Sequence, residues 1–248
     1  DFGMGMARPV MQGYFNPNRS GHGMFLSQAD SAWALVWYTY LEDGSPTWYL
    51  AANSAPTGND GVWRAPLYRL TWNGSVSYAD VVGEVLLTFE SASRFTFSWL
   101  LDGQYGSEPF QMAASPSCPS VGGAPVSYSG AWANPAESGW GFSVTAVSVA
   151  EADAAYVFDS AGVARWLLGV TTTPGAAVTI PLLQHRGFCP TCAFSGVTTS
   201  QAGTLTRNYA NKAGGTATIN IGWLQGVPGT WARSNATQQK ITVDMPCQ

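Results

Sequence analysis

The chain has 248 residues, enough for one large β domain or two ordinary ones with buried cores. Only 10% of residues are charged, against 28 glycines, 15 prolines and 13% aromatics, a balance that suits many short strands and tight turns rather than helices. A formal net charge of −4, with lysine only at Lys212 and Lys240, excludes a phosphate-binding surface and so nucleic acid as a partner, and no run approaches the roughly 18–20 apolar residues of a membrane-spanning helix.

The chain opens at Asp1 with no initiator Met and no charged-then-apolar leader, as expected of a processed, secreted or periplasmic protein. After an extension at 1–12 comes Asn16-Pro17-Asn18-Arg19-Ser20-Gly21-His22-Gly23, then a strand at 24–28. Residues 34–40 are rich in β-formers, 42–46 supply a turn and 47–51 run back, giving a hairpin with bulky side chains on both faces. Further strands are expected near 62–70 and Phe110. Between them 85–89 and 94–100 form a second hairpin, in which Phe95, Phe97 and Trp99 alternate with Thr96 and Ser98. Asp102-Gly103 turns the chain again.

The opening motif returns as Asn134-Pro135-Ala136-Glu137-Ser138-Gly139-Trp140-Gly141, 118 positions on. The same offset carries Tyr38 onto Tyr156, Tyr40 onto Phe158, Gly44 onto Gly162 and Trp48 onto Trp166; farther on, Gly83 matches Gly203 at an offset of 120. A register held over that span marks a duplication. It divides the chain into unit one at 13–114, a Pro/Gly/Ser-rich linker at 115–129 and unit two with its tail at 130–248. Six to eight strands per unit predict an all-β protein of two tandem antiparallel meanders, each a small barrel or sandwich, and leave open whether they form two barrels or one continuous body.

Four cysteines fit an oxidising compartment, and of three possible connectivities Cys118–Cys247 with Cys189–Cys192 is favoured. A redox or zinc role for the Cys-Pro-Thr-Cys loop lacks the helix or the second ligand pair it would need. No metal or cofactor is expected.

The Asn-Pro-x-x-Ser-Gly-x-Gly motif, an Asp-Gly-x-Pro-x-Trp-Tyr turn and a Gly-x-Val-x-Leu-x-Phe strand resemble repeats in poorly characterised secreted bacterial proteins, which implies location and architecture but no activity. Unit two departs from the pattern, with Ala161, Ala164 and Leu167 in place of Asp43, Pro46 and Tyr49. A looser likeness, through Gly13-Tyr14 and Ala131-Trp132, is to avidin-like and lipocalin-like barrels, which enclose one ligand.

The motif has a structural explanation: Asn and Ser caps, a fixed proline φ and glycines at positive φ or in close packing. Its functional reading makes Asn16, Ser20, Asn134 and Ser138 polar hooks at a barrel mouth, with two similar sites, or one intact and one decayed. A serine hydrolase would need His22 as base, yet unit two has Trp140 there. Glycosidase chemistry would need a pair from Glu84, Glu90, Asp102 and Glu108, most of which fall in or beside turns where solvation is expected. No catalytic residue is assigned. Aromatics at both strand parities predict that some of Trp33, Trp37, Tyr38, Tyr40, Trp48 and Tyr49 face outward or into an interface. Binding is therefore expected through Trp33, Trp37, Trp48, Tyr49, Trp140 and Trp166 together with the motif residues. The sequence reads as a non-enzymatic subunit of an envelope or extracellular assembly that contacts other proteins through aromatic surface; the alternative is a module binding extracellular glycan or a small ligand.

Overall fold

Period-two patterning persists through the computed structural model, which describes residues 7–247 and shows strands and turns without a helix among them. Eight strands form the first sheet: β1 (Gly13–Phe15), β2 (Gly23–Ala29), β3 (Ala32–Tyr40), β4 (Pro46–Ser54), β5 (Val62–Trp72), β6 (Ser77–Ser91), β7 (Arg94–Leu101) and β8 (Gln104–Met112). Each pairs antiparallel with the next, and β1 pairs with β8 through Tyr14↔Met112 and Phe15↔Gln111, so the meander closes. A short hairpin follows, β9 (Ser120–Val121) with β10 (Ala124–Pro125). The second sheet repeats the first: β11 (Gly130–Ala133), β12 (Gly141–Ala146), β13 (Glu151–Phe158), β14 (Ala164–Thr171), β15 (Ala177–Arg186), β16 (Thr198–Tyr209), β17 (Gly214–Gly222) and β18 (Thr230–Lys240), closed by Trp132↔Lys240. Of the expected alternatives, each unit is therefore a barrel, not a sandwich. Closure leaves neither sheet an open edge.

Side-chain parity decides what each barrel holds. In the first, Trp33, Leu35 and Trp37 of β3, Tyr49 of β4 and Phe95, Phe97 and Trp99 of β7 point inward and are buried against one another. The interior is packed, so the central ligand of avidin-like and lipocalin-like barrels finds no room. The second barrel is filled by Trp132, Phe142, Val144, Leu167, Leu205 and Ile219, among others. Tyr128 joins that core, so the segment 115–129, expected to be a linker, hands its last residues to the second barrel. Where barrel one has Trp33, Leu35 and Leu87, barrel two has Glu151, Asp153 and Arg207, all three fully buried. Arg207 Nε donates to Glu151 Oε1 at 2.6 Å and stands 3.5 Å from Asp153 Oδ2, while its guanidinium lies 3.8 Å over the Tyr209 ring. Burial, reinforced by the neighbouring Glu151 charge, raises the Asp153 carboxyl well above the usual carboxylate range despite Arg207.

The outward face of β3 and β4 is covered at the end that carries Tyr38, Tyr40 and Trp48. Tyr38, Tyr40 and Trp48 pack with Phe158, Trp166 and Ala154 in a seam between the barrels. The contacts come in exchanged pairs. Trp48 Nε1 donates to Val157 O at 3.2 Å, and its repeat mate Trp166 donates to Thr39 O at 2.8 Å. Trp48 lies 5.6 Å from Tyr156 and 5.6 Å from Phe158; Trp166 lies 5.6 Å from Tyr38 and 5.7 Å from Tyr40. Gly187 N donates to Gly44 O and Trp72 N to Gly162 O. This is the self-complementary pattern of a two-fold homodimer interface, realised here within one chain. The two disulfides pair as favoured, with Cys118–Cys247 joining the segment before the second barrel to the tail after it and Cys189–Cys192 closing a tight loop.

Candidate functional site

Each motif sits between the first two strands of its barrel. Asn16 and Asn134 accept from the backbone two residues on, Asn18 N at 2.9 Å and Ala136 N at 3.0 Å, which fixes the turn. Gly21 and Gly139 adopt φ of 114° and 93°. A Cβ at the final glycine would run into the strand paired with it, Tyr14 O at 2.7 Å from Gly23 and Trp132 O at 2.5 Å from Gly141. The motif's backbone chemistry is thus the same in both copies.

Its side chains are not. In unit one Glu108 reaches across from β8: Asn16 Nδ2 donates to it at 2.8 Å, Arg19 Nη1 at 2.6 Å, and His22 Nε2 stands 2.9 Å away. Burial alone would raise the Glu108 carboxyl, but His22, Asn16 and Arg19 together hold it below the usual range. Glu108 was expected to be solvated beside a turn and is instead 6% exposed, because barrel closure lays β8 against the motif. In unit two the charges are exchanged. Glu137, at the position of Arg19, accepts from Trp140 Nε1 at 3.1 Å and from Arg233 Nε on β18. Both barrels thereby join motif loop to last strand with one guanidinium–carboxylate pair, donor and acceptor swapped.

The copies also differ in cover. The β5–β6 connection is the short turn 73–76, whereas the β15–β16 connection is the longer segment 187–197 that carries the disulfide loop. That loop lies over the first motif: Arg19 donates to Cys192 O at 2.9 Å and to Pro190 O at 3.4 Å, and Phe188 packs 5.4 Å from His22 and 4.8 Å from the Arg19 guanidinium. The first motif is capped. The shorter turn leaves the second open, as a groove of about 510 Å³ lined by Trp72, Ser138, Trp140, Ser160, Trp231 and Arg233. Trp140 and Trp231 stand 5.2 Å apart, nearly edge to face, and Arg233 lies 4.8 Å over the Trp231 ring. Trp72 comes from barrel one and is seated on two glycines, its ring 3.2 Å from a Cβ placed at Gly139 and its carbonyl 1.9 Å from one at Gly162.

Of the residues expected to bind, Ser138 and Trp140 line this groove, Asn134 shapes its motif turn, and Ser20 is exposed beside the capped motif. Asn16 is buried on Glu108. The aromatic platforms require correction. Trp33, Trp37 and Tyr49 are core of barrel one, Trp48 and Trp166 are seam, and Trp140, although it borders the groove, is packed in the core of barrel two; none exceeds 4% exposed, because the inward face of each strand fills a barrel and the outward face at the seam meets the sister barrel. The reading of the sequence missed Trp72, Trp231 and Arg233, which reach the groove from strands far along the chain. One signal for the exchanged ion pair was available: Arg19 and Glu137 occupy the same repeat position with opposite charge. No protein family, characterised protein or solved structure matches this chain.

Proposed function

We propose that this chain is a non-catalytic, secreted or periplasmic binding protein whose open groove at the second motif takes a saccharide. One observation carries the reading: two partly exposed indoles, Trp72 and Trp231, backed by the buried Trp140, converge with the hydroxyls of Ser138 and Ser160 and the Arg233 fork on a groove open to solvent. Flat ring faces suit the apolar faces of sugar rings, and a few fixed donors and acceptors suit their hydroxyls. Two disulfides accord with an oxidising compartment. Arg233 is held by Glu137, and Asp159, the acidic residue of the lining, by Arg165, so the described lining carries no unbalanced charge and fits a neutral glycan better than an acidic one.

Glycan-array screening followed by calorimetry tests this reading. Trp231 is half-buried at the rim, so Trp231→Ala should leave the fold intact while weakening the selected glycan by about ten-fold or more. Binding unchanged in that variant, or no glycan retained by the wild type, would remove the proposal.

A second reading, a subunit of an envelope or extracellular assembly, is favoured by the outer face of barrel one, where Tyr78, Val81, Leu100 and Tyr105 are exposed, Tyr105 at 85%. Native mass spectrometry of gently isolated protein separates the two, since this reading requires a stoichiometric partner chain.

A further inference from the structure

A second cavity, of about 370 Å³, lies between the barrels on the other side of the seam, and its character is opposite to that of the groove. Its walls include Trp166 and Leu168 of β14 and Tyr38 of β3, with the small residues Ala152 and Ala154 of β13 making the space. Among the described residues no lysine, arginine or aspartate lines it, and the carboxylate of Glu151, the one acidic residue there, is engaged with Arg207 inside barrel two. Polar side chains enter at four places: His22, whose Nε2 is taken up by Glu108 at 2.9 Å, Thr145, the Tyr38–Ser143 pair and His185. Tyr38 Oη and Ser143 Oγ are bonded to each other at 2.9 Å. His185 stacks on Trp166 at 5.0 Å and has Nδ1 at 3.1 Å from Leu183 O, a carbonyl that can only accept. The hydrogen therefore sits on Nδ1, and Nε2 is left as an acceptor. Burial lowers the proton affinity of His185 and keeps the ring neutral.

We propose that this inter-barrel cleft binds an uncharged amphiphile, an apolar chain or ring bearing one hydroxyl, with the apolar part against Trp166 and Leu168 and the hydroxyl donating to His185. The size is within the range of small-molecule sites. A carboxylate is disfavoured, since the described lining holds no lysine or arginine and its His22 is already matched to Glu108, so desolvating a further negative charge would go uncompensated. The inference stands apart from the saccharide groove and shares no side chain with it.

The test uses the full chain with both disulfides intact and follows displacement of N-phenyl-1-naphthylamine by 1-decanol and, at pH 8, by decanoate. Expected are saturable 1:1 binding of decanol and at least ~ten-fold weaker binding of decanoate. Ala152→Phe, which fills the cavity, should weaken decanol by about ten-fold or more. Val170→Asp, at a rim position 55% exposed and so safe for folding, should do the same. His185→Phe removes the acceptor at similar volume and should weaken decanol roughly three- to ten-fold while leaving the dye unaffected. Unaltered binding in both Ala152→Phe and Val170→Asp, or no saturable binding to the wild type, overturns the proposal. Decanoate binding as tightly as decanol, or an unchanged decanol affinity in His185→Phe, overturns the assigned chemistry of the head group.

Discussion

Arg207→Met isolates the buried charge cluster of barrel two. The guanidinium it removes is fully buried, bonds Glu151 at 2.6 Å and Gly175 O at 3.1 Å, and faces Asp153 at 3.5 Å. Without it, two carboxyls remain at zero exposure, with Glu151 Oε2 and both Asp153 oxygens lacking any hydrogen-bond partner among the described residues. Removing one member of a buried ion cluster in this way costs about 3–5 kcal/mol. Barrel one supplies the control, because its equivalent positions are Trp33, Leu35 and Leu87. The triple variant Glu151→Leu, Asp153→Leu, Arg207→Leu should therefore be no less stable than wild type, and by the same precedent up to roughly 1–4 kcal/mol more so. Guanidinium unfolding with disulfides intact, followed by tryptophan fluorescence, reads both. The raised Asp153 carboxyl adds a pH signature. The native state keeps a proton that the unfolded chain releases near pH 3.9, so stability falls as pH rises above that point, by at most about 1.4 kcal/mol per pH unit, up to the folded-state pKa. Asp153→Asn should flatten that slope. An Arg207→Met variant within about 0.5 kcal/mol of wild type, or a triple variant less stable than the single one, would refute the reasoning.

Three further outcomes follow from the geometry. Gly162→Ala places a Cβ 1.9 Å from Trp72 O on a residue with φ of 78°, so a loss of about 2 kcal/mol or more is expected, with altered near-ultraviolet dichroism and a disturbed groove. Glu108 has its carboxyl held low by its partners; its contribution is complete above the unfolded value near pH 4.3 and disappears as pH falls through the folded one, so Glu108→Gln, losing about 1–3 kcal/mol at neutral pH, should show a shallower acid decline in unfolding midpoint. Because the seam is built as a dimer interface, residues 7–114 and 115–247 produced as separate chains should associate on mixing, read by sedimentation; two monomers that ignore each other would contradict the seam's self-complementarity.

Much of the fold was legible because strands write themselves with a period of two. Phe95, Phe97 and Trp99 announced an inward face, Asp102-Gly103 a turn, and the constant offset from Tyr38/Tyr156 to Trp48/Trp166 a second unit of the same build. Parity also showed that β3 and β4 carry rings on two faces. What it lacked was the identity of the cover, since only the packed pair reveals that Tyr38, Tyr40 and Trp48 lie on the sister barrel rather than in solvent. The site was less accessible still. Glu108 meets Asn16 across 92 positions only because β1 closes on β8, and Arg233 meets Glu137 by the same closure in barrel two. The cluster in barrel two was half visible, as Glu151 and Asp153 share the parity of inward-facing Ala155 and Val157. Their partner Arg207 arrives from β16, and no local pattern ties it to them.

The pairs that kept the repeat in register, Tyr38/Tyr156, Tyr40/Phe158, Gly44/Gly162 and Trp48/Trp166, are the residues of the seam, and the reciprocity of their contacts accounts for it. In a self-complementary interface each position acts twice, so a change in either copy disturbs a contact whose mate still expects it. Positions outside the seam carry no such coupling, and some of them differ in chemistry altogether, as the cluster in barrel two shows. The motif lies between these cases. Its glycines persist because the paired strand leaves no space for a Cβ, and its ion pair persists with charges exchanged, so the loop needs the pair and not its polarity. What one copy lacks altogether is the cap. Since the Cys189–Cys192 loop consumes the first motif's outward face and nothing in the short turn 73–76 does so for the second, an equivalent groove cannot exist on both barrels, and saccharide stoichiometry is expected to be one per chain despite the duplication.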